Sequence, residues 1–162
     1  MKTNSYNVCC ICTGNACRSP FCETVLKALL QGAPELNIEV CSRGTLNWGE
    51  NPRDVQMAAT AQAMGYTMEG TTTCMTYEDL KKADLIVVFS QEHRNRVTRV
   101  LDYANWDRIV LFDQLAFGQA TEVEDPHFQS EAVYCRVAKH IEEGCRNIVE
   151  QWKKCPPASR DN

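Results

Sequence analysis

Residues 84–89 (Asp-Leu-Ile-Val-Val-Phe) give the strongest strand prediction in the sequence, because residues 85–89 form an unbroken apolar run. Such a run is typical of a strand buried on both faces, and strands of this kind belong to parallel sheets covered by helices. Three further segments, at residues 6–11, 37–41 and 108–112, are predicted as shorter strands. The sequence therefore predicts an α/β fold with a four-stranded parallel sheet.

Two helices are predicted from a capping side chain followed by proline. Ser19-Pro20 opens the first, because a serine hydroxyl suits the N-cap and proline suits the first helical position. Asn51-Pro52 repeats this signature and predicts a helix that begins there. One side of that second helix is predicted to consist of Val55, Ala58, Ala59 and Gln62.

Three more helices follow from capping and periodicity. Thr76 with an aspartate three residues later is a capping box, and Ser90 is placed to cap the helix after the strongest strand. Residues 130–153 carry apolar side chains at spacings of three and four, which predicts a long helix. Its stripe consists of Val133, Val137, Ile141, Cys145, Ile148 and Trp152. Alternating strands and helices indicate a single three-layer, doubly wound domain with helices on both faces of the sheet.

The length of 162 residues suits one such domain, which we place at residues 1–155, followed by a flexible tail at 156–162. The longest apolar runs are too short to cross a membrane, and the first seven residues lack the apolar core of a secretory signal. Seventeen Lys and Arg against 21 Asp and Glu give a net charge of −4. This balance argues against a nucleic acid or an anionic membrane as the main partner.

The chain has ten cysteines, and about seven of them are expected to be reduced packing thiols, since disulfide frameworks belong to small secreted chains with poor cores. Most of them fall where a buried apolar residue would sit, which favours packing thiols in a cytoplasmic protein. Cys9 and Cys12 have the C-x-x-C spacing, but residues three apart on a strand point to opposite faces of the sheet. They are therefore not expected to hold zinc, and no metal or cofactor is predicted.

The loop after the first strand contains the most informative motif, Cys12-Thr13-Gly14-Asn15-Ala16-Cys17-Arg18-Ser19-Pro20. Five residues wrapped in an arc at a helix N-terminus point their backbone N–H groups inward, which makes a P-loop anion nest. Gly14 permits the unusual dihedral angles of the arc, and the guanidinium of Arg18 closes the ring with donors that match phosphate oxygens. The loop is therefore predicted to bind a phosphate-like anion.

A cysteine at the base of this nest is predicted to be a nucleophile. The positive field of the loop favours the thiolate form of Cys12, and the hydroxyl of Ser19 is placed to donate a hydrogen bond to its sulfur. A nucleophile beneath a bound phosphate implies in-line displacement and a phosphocysteine intermediate. Asp125, held by Pro126 before the last helix, is the candidate acid for the leaving oxygen, and Glu124 is its rival.

These residues resemble the signature of the low-molecular-weight protein tyrosine phosphatase family. The resemblance runs through residues 12–20 almost position for position and extends to Ser42-Arg43-Gly44-Thr45 and Asp125-Pro126. It implies a metal-free phosphatase acting on phosphorylated proteins, with Asp125 as general acid and Asn15 and Ser42 supporting the nucleophile with Ser19. It also implies that a reversible disulfide between Cys12 and Cys17 protects the nucleophile.

Several positions depart from the family pattern. Many members follow Asp-Pro with two tyrosines that wall the cleft, and here those positions are His127 and Phe128. Phe128 is expected either to stack on an aromatic substrate or to plug the base of the loop, and Trp48 to line the rim. A histidine that braces the loop in many members is absent from residues 70–73.

Thr13 is the most informative departure, because the phosphoarginine-specific branch and the related arsenate reductases have threonine there. Despite this threonine, phosphotyrosine is the expected substrate, and phosphoarginine is the alternative. Arsenate reduction in that branch needs two further cysteines close together in mid-chain, and only Cys74 lies between Cys41 and Cys135. Two alternative hypotheses concern other classes of function. The chain could be a phosphate-binding module without turnover, or a redox sensor built on Cys12 and Cys17.

Overall fold

The computed structural model describes residues 4–160, and the sheet in this part of the chain has four strands, all parallel. The strands are β1 (Tyr6–Cys12), β2 (Ile38–Gly44), β3 (Leu85–Val88) and β4 (Ile109–Leu111), in the order β2-β1-β3-β4. β1 and β2 pair in register along their whole length, so Cys12 lies opposite Gly44. The predicted four-stranded parallel sheet is confirmed.

Helices cover both faces of this sheet. They are α1 (Arg18–Leu30), α2 (Val55–Ala63), α3 (Tyr77–Lys82), α4 (Gln91–Thr98), α5 (Phe112–Phe117) and α6 (Glu131–Lys154), with short 3-10 helices at Pro34–Leu36 and Tyr103–Arg108. Buried residues of α1 and α6 pack with Val8 and Cys10 of β1 on one face. Those of α3 and α4 pack with Cys9 and Ile11 on the other. The three-layer architecture is therefore confirmed.

The long C-terminal helix agrees closely with its prediction. α6 begins after Ser130, and its stripe from Val137 to Trp152 is buried, with Val133 partly buried at the N-terminal end. The predicted capping box also forms, since Thr76 and Asp79 exchange side-chain and backbone hydrogen bonds. α5 was not predicted, because its six residues follow β4 directly without a capping signal.

The predicted start of α1 is wrong by two residues, and the difference matters for the site. The helix begins at Arg18 after Cys17, so Ser19 lies inside the first turn and does not cap it. Its hydroxyl is within hydrogen-bonding distance of the Cys12 sulfur, at 3.0 Å. The tertiary contact with the thiol therefore takes precedence over the local capping role.

The predicted start of α2 is also wrong. The helix begins at Val55, and the side chain of Asp54 caps it by accepting from the backbone N–H of Met57 at 2.8 Å. Its buried residues are Met57, Thr60 and Ala61, whereas Val55 is 82% exposed. The side that carries Val55, Ala58, Ala59 and Gln62 faces mainly solvent, since Ala58 is partly buried and the other three are exposed.

The strand order places a topological switch point at the carboxyl ends of β1 and β3. The chain leaves β1 toward β2 on one side, and the later strands lie on the other side. Open parallel sheets bind their ligands in the crevice at such a point. The loop at residues 13–17 follows β1 and therefore lies at this crevice.

The tail remains in contact with the sheet as far as it is described. Arg160 donates from its backbone N–H and from Nε to Asp84 Oδ1, at 3.2 and 3.4 Å. The predicted flexibility of residues 156–162 stays a prediction, and residues 161–162 lie outside the described part of the chain. Residues 1–3, which belong to the predicted domain and to the segment judged to lack a secretory signal, also lie outside it. Among the described residues, no helix has the length and apolar character needed to cross a membrane.

A Gly144→Ala substitution is expected to destabilise the fold. An added Cβ would lie 2.5 Å from the ring of Phe112 and 3.0 Å from Ala116, and that ring is fully buried. Overpacking of about 1–3 kcal/mol outweighs a helix-propensity gain of about 1 kcal/mol. We expect the free energy of unfolding in urea to fall by about 1 kcal/mol. Gly32→Ala is the control, since an added Cβ there would lie 3.5 Å from the carbonyl oxygen of Leu29, an ordinary contact. Equal stability of both variants would contradict the tight α5–α6 contact.

Candidate active site

The loop at residues 13–17 turns its carbonyl groups toward the rest of the protein. The carbonyl oxygens of Cys12, Thr13 and Ala16 accept from the backbone N–H groups of Thr45, Leu46 and Asp54, at 2.9, 3.0 and 2.9 Å. Within the described residues, no protein acceptor receives the backbone N–H groups of residues 14–17. The loop thus presents a set of unpaired amide donors.

The close approach of β2 holds the loop in this shape. A Cβ on Gly44 would lie 3.0 Å from the backbone of Thr13, Gly14 and Asn15, so a larger residue would push the loop outward. Asn15 adopts a left-handed conformation with φ of 55°, which asparagine tolerates better than most residues. The local structure therefore depends on Gly44 in a neighbouring strand as well as on the loop itself.

The amide of Asn15 organises the polar groups beneath the loop. Its Nδ2 donates to the hydroxyls of Ser19 and Ser42, at 3.0 and 2.9 Å, and Ser42 donates in turn to Glu23 at 2.6 Å. Because Ser19 accepts from Asn15, its own proton is free to donate. That proton has the Cys12 sulfur within 3.0 Å and the carbonyl of Arg43 within 3.3 Å. A Cys12 thiolate would be the stronger acceptor of the two.

Arg18 is nearly buried beside the loop, with 5% of its surface exposed. Its Nη1 donates to the carbonyl of Val123 at 3.0 Å, and its Nη2 lies 3.5 Å from Oδ2 of Asp125. These contacts fix the guanidinium between the loop and the segment that carries Asp125. The side chain of Asp125 is half exposed and also accepts from the backbone N–H of His127 at 3.0 Å.

Glu124, the rival acid, faces away from this arrangement. Both Nε and Nη2 of Arg136 on α6 donate to its carboxylate, at 2.9 and 2.7 Å. Glu124 does not line the pocket above Cys12, whereas Asp125 does. The geometry therefore favours Asp125 for a proton-transfer role.

His93 was missed by the sequence analysis and contacts the loop directly. Its Nε2 lies 2.9 Å from the hydroxyl of Thr13 and 3.5 Å from Nη2 of Arg18, while its Nδ1 accepts from the backbone N–H of Phe89. Burial and the charge of Arg18 lower the pKa of His93 to about 3. The ring is thus neutral with its proton on Nε2, which donates to Thr13 and leaves the Thr13 proton free to donate into the pocket. The signal that could have identified His93 is its position in the first turn of α4, at the switch point.

The walls of the pocket include residues that precede and follow the loop in sequence. The ring of Trp48 occupies the space that a side chain at position 14 would need, and half of its surface is exposed. On the other side, His127 lies 3.4 Å from Asp54, which also accepts from the hydroxyl of Tyr134 at 2.9 Å. Trp48, Asp54 and His127 all line the pocket, so two of the three predicted wall positions outside the loop are found there.

Phe128 does not line the pocket. Its side chain is 92% exposed, and its ring lies 3.9 Å from the ring of His127. The interpretation of Phe128 as a plug at the base of the loop is therefore wrong. The other expectation, that Phe128 stacks on an aromatic substrate, stays a prediction.

The brace on Asn15 comes from Arg53 and not from a histidine. Nη1 of Arg53 donates to the backbone and side-chain oxygens of Asn15, at 2.6 and 2.8 Å, and the backbone N–H of Thr73 donates to the same side-chain oxygen at 3.0 Å. Sequence reasoning did not single out Arg53. Its one signal was the missing histidine, which left the oxygen of Asn15 in need of a donor.

The cysteines carry no disulfide in the described part of the chain. Cys9 and Cys12 belong to the two opposite core clusters, which confirms that they point to different faces of β1. Cys17 is 7% exposed, and burial raises its pKa well above the ordinary value. Its pairing with Cys12 stays a prediction. Residues 4–160 contain no cluster of three or more side chains suited to a metal ion.

Comparison with known proteins agrees with this geometry. The family model for low molecular weight phosphotyrosine protein phosphatase matches residues 7–156. The chain is 29% identical over 155 residues to the low molecular weight protein-tyrosine-phosphatase Etp of Escherichia coli, covering 95% of each chain. It is 25% identical over 147 residues to a protein-arginine-phosphatase of Bacillus subtilis, covering 89% of this chain and 95% of that protein.

A solved structure gives the same result. The chain matches a low molecular weight phosphotyrosine phosphatase from Vibrio cholerae O395 with a TM-score of 0.86 and 30% identity, covering 93% of this chain and 98% of that one. The family model spans nearly the whole described chain and includes the loop, Arg18 and Asp125. The protein therefore belongs to the low molecular weight phosphotyrosine protein phosphatase family, which is a family of enzymes.

Proposed function

We propose that the protein hydrolyses phosphotyrosine in phosphorylated proteins through a phosphocysteine intermediate on Cys12. The observation that carries this proposal is the position of the Cys12 sulfur, 3.0 Å from the Ser19 hydroxyl and beneath a loop of unpaired backbone amides. A buried guanidinium, Arg18, stands beside it, and a half-exposed carboxylate, Asp125, stands at the mouth. Nucleophile, anion donors and acid thus meet in one pocket.

The phosphoryl group of the substrate would occupy the nest. Its oxygens would accept from the N–H groups of residues 14–17 and from the guanidinium of Arg18, whose Nη1 is already anchored on Val123. The predicted binding set is Thr13, Gly14, Asn15, Ala16, Cys17 and Arg18. Trp48 and His127, which line the pocket, would flank the phenol ring of the substrate.

The reaction would proceed in two displacements at phosphorus. The Cys12 thiolate forms the S–P bond while the bond to the phenolic oxygen breaks, and Asp125 gives its proton to that oxygen. The Asp125 carboxylate then takes a proton from water, whose oxygen attacks phosphorus and breaks the S–P bond. Inorganic phosphate leaves, and Cys12 returns to the thiolate while Asp125 is again protonated. The proton and electron count closes without a metal or cofactor.

Phosphoarginine is the second candidate substrate. The hydroxyl of Thr13 lines the pocket and is held by His93, so a polar group lies where a guanidinium would enter. The Bacillus subtilis relative named as a protein-arginine-phosphatase supports this alternative. The exposed indole of Trp48 favours an aromatic leaving group, which is why phosphotyrosine is preferred.

The proposal places the enzyme in the cytoplasm, where the reducing environment would keep Cys12 active. Its partners would be phosphorylated proteins and phosphate-like anions. Nucleic acids and membranes are not proposed partners, given the net charge of −4 and the absence of a membrane-spanning helix among the described residues.

The two substrates can be separated by turnover measured side by side. Peptides that differ only in carrying phosphotyrosine or phosphoarginine would be compared by phosphate release. We expect a kcat/KM about tenfold higher for phosphotyrosine, because the indole wall suits a phenol ring. Thr13→Val is the informative variant: it should preserve phosphotyrosine turnover and lower any phosphoarginine turnover. Faster release from phosphoarginine by the wild type would reverse the assignment.

A Cys12→Ser variant is expected to lose turnover and keep its fold. An alcohol at this position is a far weaker nucleophile than a thiolate, so kcat for an aryl phosphate should fall at least about 1,000-fold. Cys155→Ser, which changes an exposed thiol, is the matched control and should keep full activity. Thermal unfolding of both variants checks the fold, and substantial turnover by Cys12→Ser would rule out the phosphocysteine mechanism.

Asp125→Asn is expected to show a loss that depends on the leaving group. A nitrophenolate leaves without a proton, whereas a phenolate needs one, so kcat for phenyl phosphate should fall about 100-fold or more while p-nitrophenyl phosphate loses less. Glu124→Gln serves as the control, because that carboxylate pairs with Arg136 and faces away from the pocket. Equal losses for both substrates would move the acid role to another group.

A further inference from the structure

Arg53 joins three segments behind the phosphate loop. It precedes α2, its Nη1 donates to both oxygens of Asn15, and its Nε donates to the carbonyl of Glu69 at 3.1 Å. Its Nη2 also fills the space beside Gly70, since a Cβ there would be 3.2 Å away. One guanidinium therefore ties the loop to two chain segments that the sequence places far apart.

The positive charge of Arg53 has no carboxylate partner. None of the acidic side chains in residues 4–160 lies within ion-pair distance of it, whereas Arg43 nearby is paired with Asp79 at 3.1 Å. Burial lowers the pKa of Arg53, and the negative charges of Glu23 and of a Cys12 thiolate oppose that effect. An unpaired, half-buried cation acts on its surroundings more strongly than a solvated one.

Its contacts act on the residue that organises the site. Asn15 has a positive φ, and the oxygens that Arg53 binds are its backbone carbonyl and its side-chain oxygen. Because the side-chain oxygen and Nδ2 belong to one planar amide, fixing the side-chain oxygen also fixes the direction of Nδ2, which donates to Ser19 and Ser42. Ser19 is the group that contacts the Cys12 sulfur. Arg53 is thus linked to the nucleophile by two consecutive hydrogen-bonded side chains.

We infer that Arg53 is a positioning residue for the proposed phosphatase reaction, which locks the phosphate loop through Asn15 and supplies a second positive charge that stabilises the Cys12 thiolate. This inference rests on the proposed function but concerns two separable properties. The brace keeps the amides of residues 14–17 ready for an anion. The charge favours the thiolate form of Cys12 over the thiol. A structural role alone would give the first property and not the second.

The test compares Arg53→Met, which removes brace and charge, with Arg53→Lys, which keeps the charge and loses the forked contact. Arg99→Met, at an exposed position on the C-terminal side of α4, controls for the change in net charge. Alkylation of Cys12 by iodoacetamide is followed against pH by peptide mass spectrometry, which needs no catalytic activity. Binding of inorganic phosphate is measured by calorimetry, and kcat and KM are measured on p-nitrophenyl phosphate.

In Arg53→Met the midpoint pH of Cys12 alkylation should rise by about half a pH unit or more, and the phosphate Kd should rise about tenfold. Arg53→Lys should keep the alkylation midpoint near that of the wild type while its phosphate Kd and KM still rise. The midpoint should not move in Arg99→Met.

The inference is overturned if the midpoint in Arg53→Met moves no further than in Arg99→Met, or if the Lys and Met variants shift it equally. If Arg53→Met fails to fold, which thermal unfolding would show, the Lys variant decides through its Kd and midpoint. A different result would count against the proposed function alone. If the wild type binds phosphate and the variants shift the midpoint and Kd as expected, but the wild type releases no phosphate from any substrate, the proposed function is contradicted and the role of Arg53 remains.

Discussion

The left-handed conformation of Asn15 is the constraint on which the site depends. It allows one side chain to donate to Ser19 and Ser42 below the loop while its oxygen accepts from Arg53 and Thr73 on the other side. All four partners come from elements that the fold brings together, namely α1, β2, the segment before α2 and the segment before α3. A residue with positive φ is strained by itself, so its persistence requires that the surroundings determine it. Here four hydrogen bonds to one amide side chain provide that determination.

Strand register delivers these partners to the same place. Because β1 and β2 pair in register, Cys12 at the end of one strand lies opposite Gly44 at the end of the other. Ser42 is two residues earlier on β2 and points to the same face as Gly44. A shift of one residue would turn Ser42 away and put the Arg43 side chain against the loop. The sheet therefore aligns Cys12 with Ser42 and leaves room for the close approach of the loop.

The local parts of the site could be predicted from the sequence, and the parts built by tertiary contact could not. Cys12, Arg18 and Ser19 lie within one short sequence motif. Their spacing alone was therefore enough to predict that they meet at one site and to assign each a candidate role. His93 and Arg53 contact that motif from 80 and 38 residues away. Their signals in the sequence are indirect, namely the position of His93 in the first turn of a helix at the switch point and the missing histidine at residues 70–73. The two errors in helix starts have the same origin. Ser19 and Asn51 are good local caps, but the Cys12 thiol engages the first, and Asp54, which also contacts the loop, replaces the second.

Two kinds of polar group surround the Cys12 sulfur: the guanidinium groups of two arginines and the neutral imidazole of His93. Arg18 and Arg53 supply the guanidinium groups, while His93 stays neutral because burial and the charge of Arg18 lower its pKa to about 3. A charged imidazole 3.5 Å from the guanidinium of Arg18 would repel it and weaken the contact with Val123. A neutral one supplies a donor to Thr13 without that cost, and the arrangement does not change between pH 5 and 8. His93 should therefore add no step to the pH dependence of turnover between pH 5 and 8, because its pKa lies well below that range.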